Sequence, residues 1–206
     1  TGYGLYFSEE RAQQIVTTWR DNNGWAKRFW DELNEAFFNA YENPGVPYKA
    51  GRLTYIHDSS YHGGTTFCIQ PCGRVLSYPN LKWKQVERED RNGEKYKQTV
   101  MSYRKGYKWG SIWHGILAEN PTQGTSASIL RAKLRQMEAD RVSGASRSFE
   151  TRFHTHDEIG GQCHNDDEAF ARAYVKRIMD EPLDWTDGLP LVSEISSHWA
   201  YTKAVE

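Results

Sequence analysis

One ten-residue stretch constrains this chain more than any other: Arg152-Phe153-His154-Thr155-His156-Asp157-Glu158-Ile159-Gly160-Gly161. Its apolar and β-branched residues read as strand, and its glycines as a turn or strand break. The expectation is a β-hairpin with strands at about 147–154 and 158–164. Two adjacent carboxylates, with imidazoles beside them, then sit at its tip. A carboxylate held rigid and exposed suits Mg²⁺, which takes few protein oxygens and keeps waters for substrate phosphates. A His-Asp-Glu tripeptide is common, so its surroundings decide what it does. Strand alternation would also put His154 and His156 on one face. Together with Asp157 and Cys163 or His164, that keeps a zinc hydrolase open as a competing reading.

With 206 residues the chain is long enough for one domain of ordinary size with its own core. The formal net charge is −1 and the pI is near 6.6, so the chain as a whole does not advertise nucleic-acid binding. The charge is uneven, however. Arg74 to Lys108 holds ten Lys/Arg against four Asp/Glu, and Phe153 to the end holds four against eleven. A basic region beside an acidic one suits a protein that grips phosphates and also holds cations, although solvated surface accounts for either block alone. Cys68, Cys72 and Cys163 are odd in number and form no disulfide framework, which points to a reducing compartment such as a cytoplasm. Cys68 and Cys72 with Cys163-His164 sketch a weak zinc pattern. No apolar run approaches the ~18 residues of a membrane span. Aromatic content is 14 %, with eight Trp; core packing is the default for these, and base-stacking surfaces the alternative.

Ser8-Glu9-Glu10-Arg11 starts a helix, with Ser8 as N-cap and acids in the first turn. Ala12, Ile15, Val16 and Trp19 are expected to form its apolar face. A second helix runs from about Trp25 to Tyr41, with Phe29, Trp30, Leu33, Ala36, Phe37 and Ala40 at helical spacing, and Asn43-Pro44-Gly45 ends it. Short β-rich runs follow at 53–56, 65–69 and 74–78. Segments 82–89 and 94–103 flank Asn92-Gly93, a two-residue hairpin signal, and read as an exposed arm. A long helical stretch at about 111–140 is expected to be interrupted at Asn120-Pro121. Asn165-Asp166-Asp167-Glu168 caps a helix to about Met179, and a last strand is expected at 189–195.

Several stretches together resemble the C-terminal part of family A (DNA polymerase I-like) DNA polymerases in the form carried by bacteriophages. His156-Asp157-Glu158 resembles the third polymerase motif. Glu119-Asn120-Pro121-Thr122-Gln123-Gly124-Thr125 resembles the segment opening the long palm helix, and follows Trp109-Gly110 and Gly115-Ile116-Leu117. Pro71-Cys72-Gly73-Arg74 with Tyr78-Pro79 resembles a phage element. Ile15-Val16, Trp19-Arg20, Asn23 and Phe29-Trp30 fit the helices after the fingers. Trp185, Gly188-Leu189-Pro190-Leu191, Glu194, Tyr201 and Lys203 fit the final strand and tail.

The resemblance implies an α+β fold. An antiparallel palm-type sheet with a catalytic hairpin packs against long helices in an incomplete polymerase domain. Residues 1–206 would be a single C-terminal segment, with helices following the fingers at 1–45, a β-rich arm at 46–108 and palm at 109–206. The implied activity is template-directed DNA synthesis in a host-cell cytoplasm, with primer-template DNA and dNTP as partners. The first carboxylate motif and the nucleotide-holding fingers helix have no counterpart in these residues. A separate N-terminal polymerase fragment is therefore the expected partner, and the two-metal Mg²⁺ site would be shared with it. Asp157 would be a bridging metal ligand. Glu158 would support it through water, or is simply a solvated turn acid. His156 would touch the primer-terminal sugar or phosphate, or only fix the turn. Gln123 would reach the minor groove near the primer end, where acceptors are present at every base pair. Asn120 would do similar work, or cap the helix beside Pro121. Arg74 and the Lys/Arg of 82–108 would hold backbone phosphates. Thr1 fits the nucleophile that follows an intein, so splicing is one expected origin of the chain, beside a split gene. The alternative function is a non-catalytic DNA-binding or scaffold relic of a polymerase.

Overall fold

The computed structural model describes residues 6–90 and 93–201. The expectations for Thr1, Asn92 and Lys203 fall outside these. The fold is α+β, with antiparallel sheets and four α-helices among the described residues. The chain divides into two compact units, Thr1–Pro121 and Thr122–Glu206.

In the first unit, Ser8 accepts a hydrogen bond from the Arg11 N–H at 3.2 Å and caps α1 (Glu9–Asn22), as its sequence requires. The expected apolar face of α1 is not buried. Ile15, Val16 and Trp19 remain 41–46 % exposed, although Trp19 stacks on Trp30 with centroids 6.1 Å apart. Helix α2 (Gly24–Glu42) differs. It buries Leu33, Ala36, Phe37 and Ala40, one stripe at i, i+3, i+4 and i+7.

That stripe backs a four-stranded antiparallel sheet in the order β1 (Tyr48–Ala50), β2 (Leu53–Asp58), β3 (Thr65–Ile69) and β4 (Val75–Pro79). Phe37 meets Tyr55 and Tyr78 edge to face, at 5.8 and 5.6 Å. A second, three-stranded sheet holds β5 (Lys82–Glu89), β6 (Lys95–Lys105) and β7 (Lys108–Ser111), and Met101 and Tyr103 join the same core. The arm is present. Paired strands end at Glu89 and Lys95, the Asp90 N–H reaches the Glu94 carbonyl at 2.9 Å, and Gly93 takes φ +81°. Core was the default for the tryptophans, yet none of the eight is buried. Tyr, Phe, Leu and Ala fill the interior instead.

Helix α3 (His114–Ser143) runs unbroken past Pro121, against the expected interruption. Proline normally stops a helix because it has no N–H for the carbonyl four residues back. Here the Tyr55 hydroxyl donates to that carbonyl, on Leu117, at 3.5 Å, and Gln70 Nε2 donates to the Pro121 carbonyl at 2.6 Å. The tertiary donor on Tyr55 supplies the bond that Pro121 cannot make.

In the second unit, α3 continues to Ser143 and is followed by β8 (Glu150–Thr155), β9 (Glu158–Gln162) and α4 (Glu168–Asp180). Met137, Phe149, Ala171, Tyr174 and Ile178 form its core. The expected capping of α4 takes another form. Asp167 is the N-cap residue but makes no side-chain cap bond; its carboxylate accepts instead from the Ser148 hydroxyl at 2.6 Å. The strand expected at 189–195 is absent. Its polar backbone is bonded by side chains from α4: Asp180 takes the Ser193 N–H and hydroxyl at 2.7 Å each. Lys176 donates to the Ser193 carbonyl at 2.7 Å and Arg172 to the Ile195 carbonyl at 3.0 Å. With those groups engaged, and no N–H on Pro190, no ladder forms.

Candidate active site

The hairpin expected around His156-Asp157 is present. β8 and β9 pair antiparallel, closing on Thr155 opposite Glu158, with His156 and Asp157 as the two-residue turn. His156 has φ +48°. Two-residue hairpin turns need positive φ at the first turn position, and histidine is among the few non-glycine residues enriched there. Because His156 has left the strand conformation, it does not continue the alternation from His154. The shared face needed for zinc binding is therefore lost.

Glycines let the hairpin form. Gly160 lies opposite Phe153, and a Cβ at Gly160 would enter the Phe153 ring. At Gly161 a Cβ would lie 2.5 Å from the Phe149 ring and 2.9 Å from the Glu150 carbonyl. The base is clamped by Ser148, which accepts the His164 N–H at 3.0 Å while donating to Asp167. That hydroxyl, with Arg147 at 3.5 Å, holds the Asp167 carboxyl below the usual aspartate value. Among the described residues β8 and β9 pair only with each other, so both outer edges keep free backbone groups.

The Asp157 side chain is exposed, and no hydrogen bond or ion pair from a described residue reaches it. Glu158 is half-buried and accepts from the Tyr201 hydroxyl at 3.0 Å, while the Tyr201 ring meets Phe153 edge to face at 5.0 Å. Donating to the carboxylate raises the Tyr201 pKa. This contact spans 43 residues in sequence. Tyr201 was legible only as part of a resembling tail, and nothing local to it signalled Glu158. One bare carboxylate with a second beside it fits the hard-oxygen, water-rich coordination of Mg²⁺, but supplies only part of a two-metal set. Among the described residues no three His, Cys, Asp or Glu side chains gather as a metal site. All three cysteines are free, and burial pushes the Cys68 thiol up to about 11, away from a metal-binding thiolate.

The other site residues fall in both units. Gln123 is exposed on α3 in the second unit. Asn120 and Arg74 belong to the first. Asn120 does not cap α3 but lies inside it, and its Nδ2 donates to the Tyr78 hydroxyl at 3.4 Å. Two of the resembling stretches, Tyr78-Pro79 and Glu119–Thr125, thus touch. Arg74 is exposed in the turn before β4, and its backbone carbonyl accepts the Gln70 N–H at 2.8 Å.

No family model matches the chain, and no solved structure matches it. Over 190 residues, 91 % of its length, the chain is 28 % identical to a protein of Bacillus phage SP02 named DNA polymerase. The matched stretch is 26 % of that protein, so the chain spans about a quarter of its relative. The similarity runs through both units and is a distant relationship to a DNA polymerase.

Proposed function

We propose that this chain is the C-terminal part of a family A-type DNA polymerase and contributes the β8–β9 hairpin to a site for template-directed nucleotidyl transfer. The observation that carries the proposal is Asp157, a carboxylate with no partner among the described residues, at the tip of a hairpin. The distant polymerase relationship supports it. An exposed acid bonded to nothing contributes little to folding, whereas a metal ligand must keep its lone pairs free. Asp157 would hold Mg²⁺, and a bound Mg²⁺ would supply charge stabilisation for the leaving pyrophosphate and acidify the attacking hydroxyl. Glu158, oriented by Tyr201, would bond waters around that ion. His156 would meet the primer-terminal sugar or phosphate, Gln123 and Asn120 the minor groove, and Arg74 a backbone phosphate. A separate polypeptide would bring the first carboxylate motif and the fingers helix. The unpaired hairpin edges and the exposed face of α1 are surfaces on which such a partner could build.

The test is Mg²⁺-dependent primer extension by the tagged chain recovered from its native lysate. Activity that co-purifies with a second polypeptide and falls roughly a hundredfold or more in Asp157→Ala, with unchanged thermal stability, supports the proposal. Full activity of the purified chain alone would place the first carboxylate within these residues. A stable chain with neither partner nor activity would favour a non-catalytic DNA-binding relic.

A further inference from the structure

The β5–β7 sheet segregates its charge. Its acids, Glu87, Glu89, Asp90 and Glu94, lie toward the β5–β6 turn, where Glu87 pairs with Lys95 at 3.0 Å. At the other end, cations crowd together. Register puts Lys82, Lys84, Arg104 and Trp109 on one face. Lys84 Nζ lies 3.4 Å from the Trp109 ring centroid, with Arg104 and Lys82 at 5.6 and 5.9 Å. On the other face Lys105 and Lys108 stand directly opposite each other across β6 and β7, a like-charge pairing that disfavours the sheet. Between them the turn Gly106-Tyr107 presents Tyr107 at 97 % exposure. No carboxylate among the described residues forms an ion pair with any of these five cations.

Like charges gathered with no ion-paired carboxylate among the described residues, and a cross-strand lysine pair kept despite its cost, suit a bound anion. A tyrosine offered bare between two lysines adds a stacking surface. We propose that the β6–β7 turn binds single-stranded DNA, with Lys105 and Lys108 on successive phosphates and the Tyr107 ring stacked on a base. Lys82, Lys84 and Arg104, fixed around Trp109, would extend the positive track. Basic residues interleaved with an exposed aromatic are the general means by which single strands are held without regard to sequence. The choice of DNA as the polyanion rests on the proposed polymerase function; the site itself needs neither metal nor Asp157.

The experiment is fluorescence anisotropy of the full chain with a labelled oligothymidylate in EDTA, across a salt series. A hairpin duplex of equal charge serves as the second ligand. Tyr107→Ala is expected to weaken oligothymidylate binding about fivefold or more and leave the duplex nearly unchanged. Lys105→Gln with Lys108→Gln is expected to flatten the salt dependence by about 1.4 in log–log slope. No binding, binding indifferent to these three positions, or equal loss on both ligands would overturn the inference. EDTA and Asp157→Ala should leave binding intact while abolishing extension, so failure here and failure of the catalytic proposal are distinguishable.

Discussion

Each unit contains a hairpin with charge at or near its turn, and the two are built on opposite terms. The arm β5–β6 is long, carries its acids toward its turn in part as an exposed ion pair, and is extended by a third strand whose neighbours reach an aromatic core. The β8–β9 hairpin is shorter and, among the described residues, has no third strand and presents an acid with no partner. A two-stranded ribbon is marginal in water, so β8–β9 depends on what backs it: the Phe149–Tyr174 cluster, the glycine-aromatic fit and the Ser148 clamp. A hairpin that gives up a satisfied turn must be fixed at its base.

The sharpest way to break this contrast is to add a methyl group. Gly161→Ala drives a Cβ against buried Phe149 and a backbone carbonyl, neither of which can yield. It is expected to destabilise the second unit by about 1–3 kcal/mol. Gly160→Ala should cost less, because Phe153 is 39 % exposed and can swing outward. In the arm, Gly93→Ala meets only Glu89 at 3.9 Å and carries only the penalty of its φ of +81°, about 1 kcal/mol. Denaturant melts of the three variants check the order, and equal costs would remove the distinction.

Next in size is the clamp. Ser148→Ala leaves the His164 N–H and Asp167 without their shared hydroxyl and is expected to cost about 1–2 kcal/mol. The matching change in the arm, Lys95→Gln, breaks an ion pair whose side chains are 67 % and 60 % exposed. It should stay within about 0.5 kcal/mol. Smaller again, and opposite in sign, is His156→Gly. A left-handed φ favours glycine, so stability should rise by up to ~1 kcal/mol in the same melts. Extension by the reconstituted polymerase should nonetheless fall. A gain in both would mean that the imidazole only fixes the turn.

The two hairpins also show how far the sequence can be read. Both were legible, because β-branched alternation is a local signal, although Gly160 and Gly161, read as a turn or strand break, lie inside β9. So were α2 and the Ser8 cap. What escaped was everything settled by residues far apart in sequence. Pro121 spoke for a break, but Tyr55, 62 residues from Leu117, supplies the donor that Pro121 lacks. Leu189 to Ile195 has strand composition, yet α4 side chains occupy its backbone before any ladder can. Ile15, Val16 and Trp19 have the spacing of a core stripe, and spacing alone does not supply something to pack against. At the site, the turn and its acids were visible in five consecutive residues. The tie from Tyr201 to Glu158 was not, because no periodicity links positions 43 apart.

The least forceful perturbation, pH, reaches the clamp through Asp167. Ser148 and then Arg147 hold the Asp167 carboxyl below the ordinary aspartate value of 3.8. A depressed folded-state pKa stabilises the fold above the unfolded value, and that contribution disappears as pH falls through the folded one. The Ser148 hydroxyl should therefore hold the His164 amide firmly at neutral pH and loosen it only below pH 3.8. Hydrogen exchange at the His164 amide, corrected for intrinsic rates, should show protection lost over that acid range. In Asp167→Asn the acid step should vanish, leaving reduced and pH-independent protection. An acid step that survives this substitution would mean that another carboxylate governs the hairpin base, and that the clamp is not what compensates β8–β9 for its missing third strand.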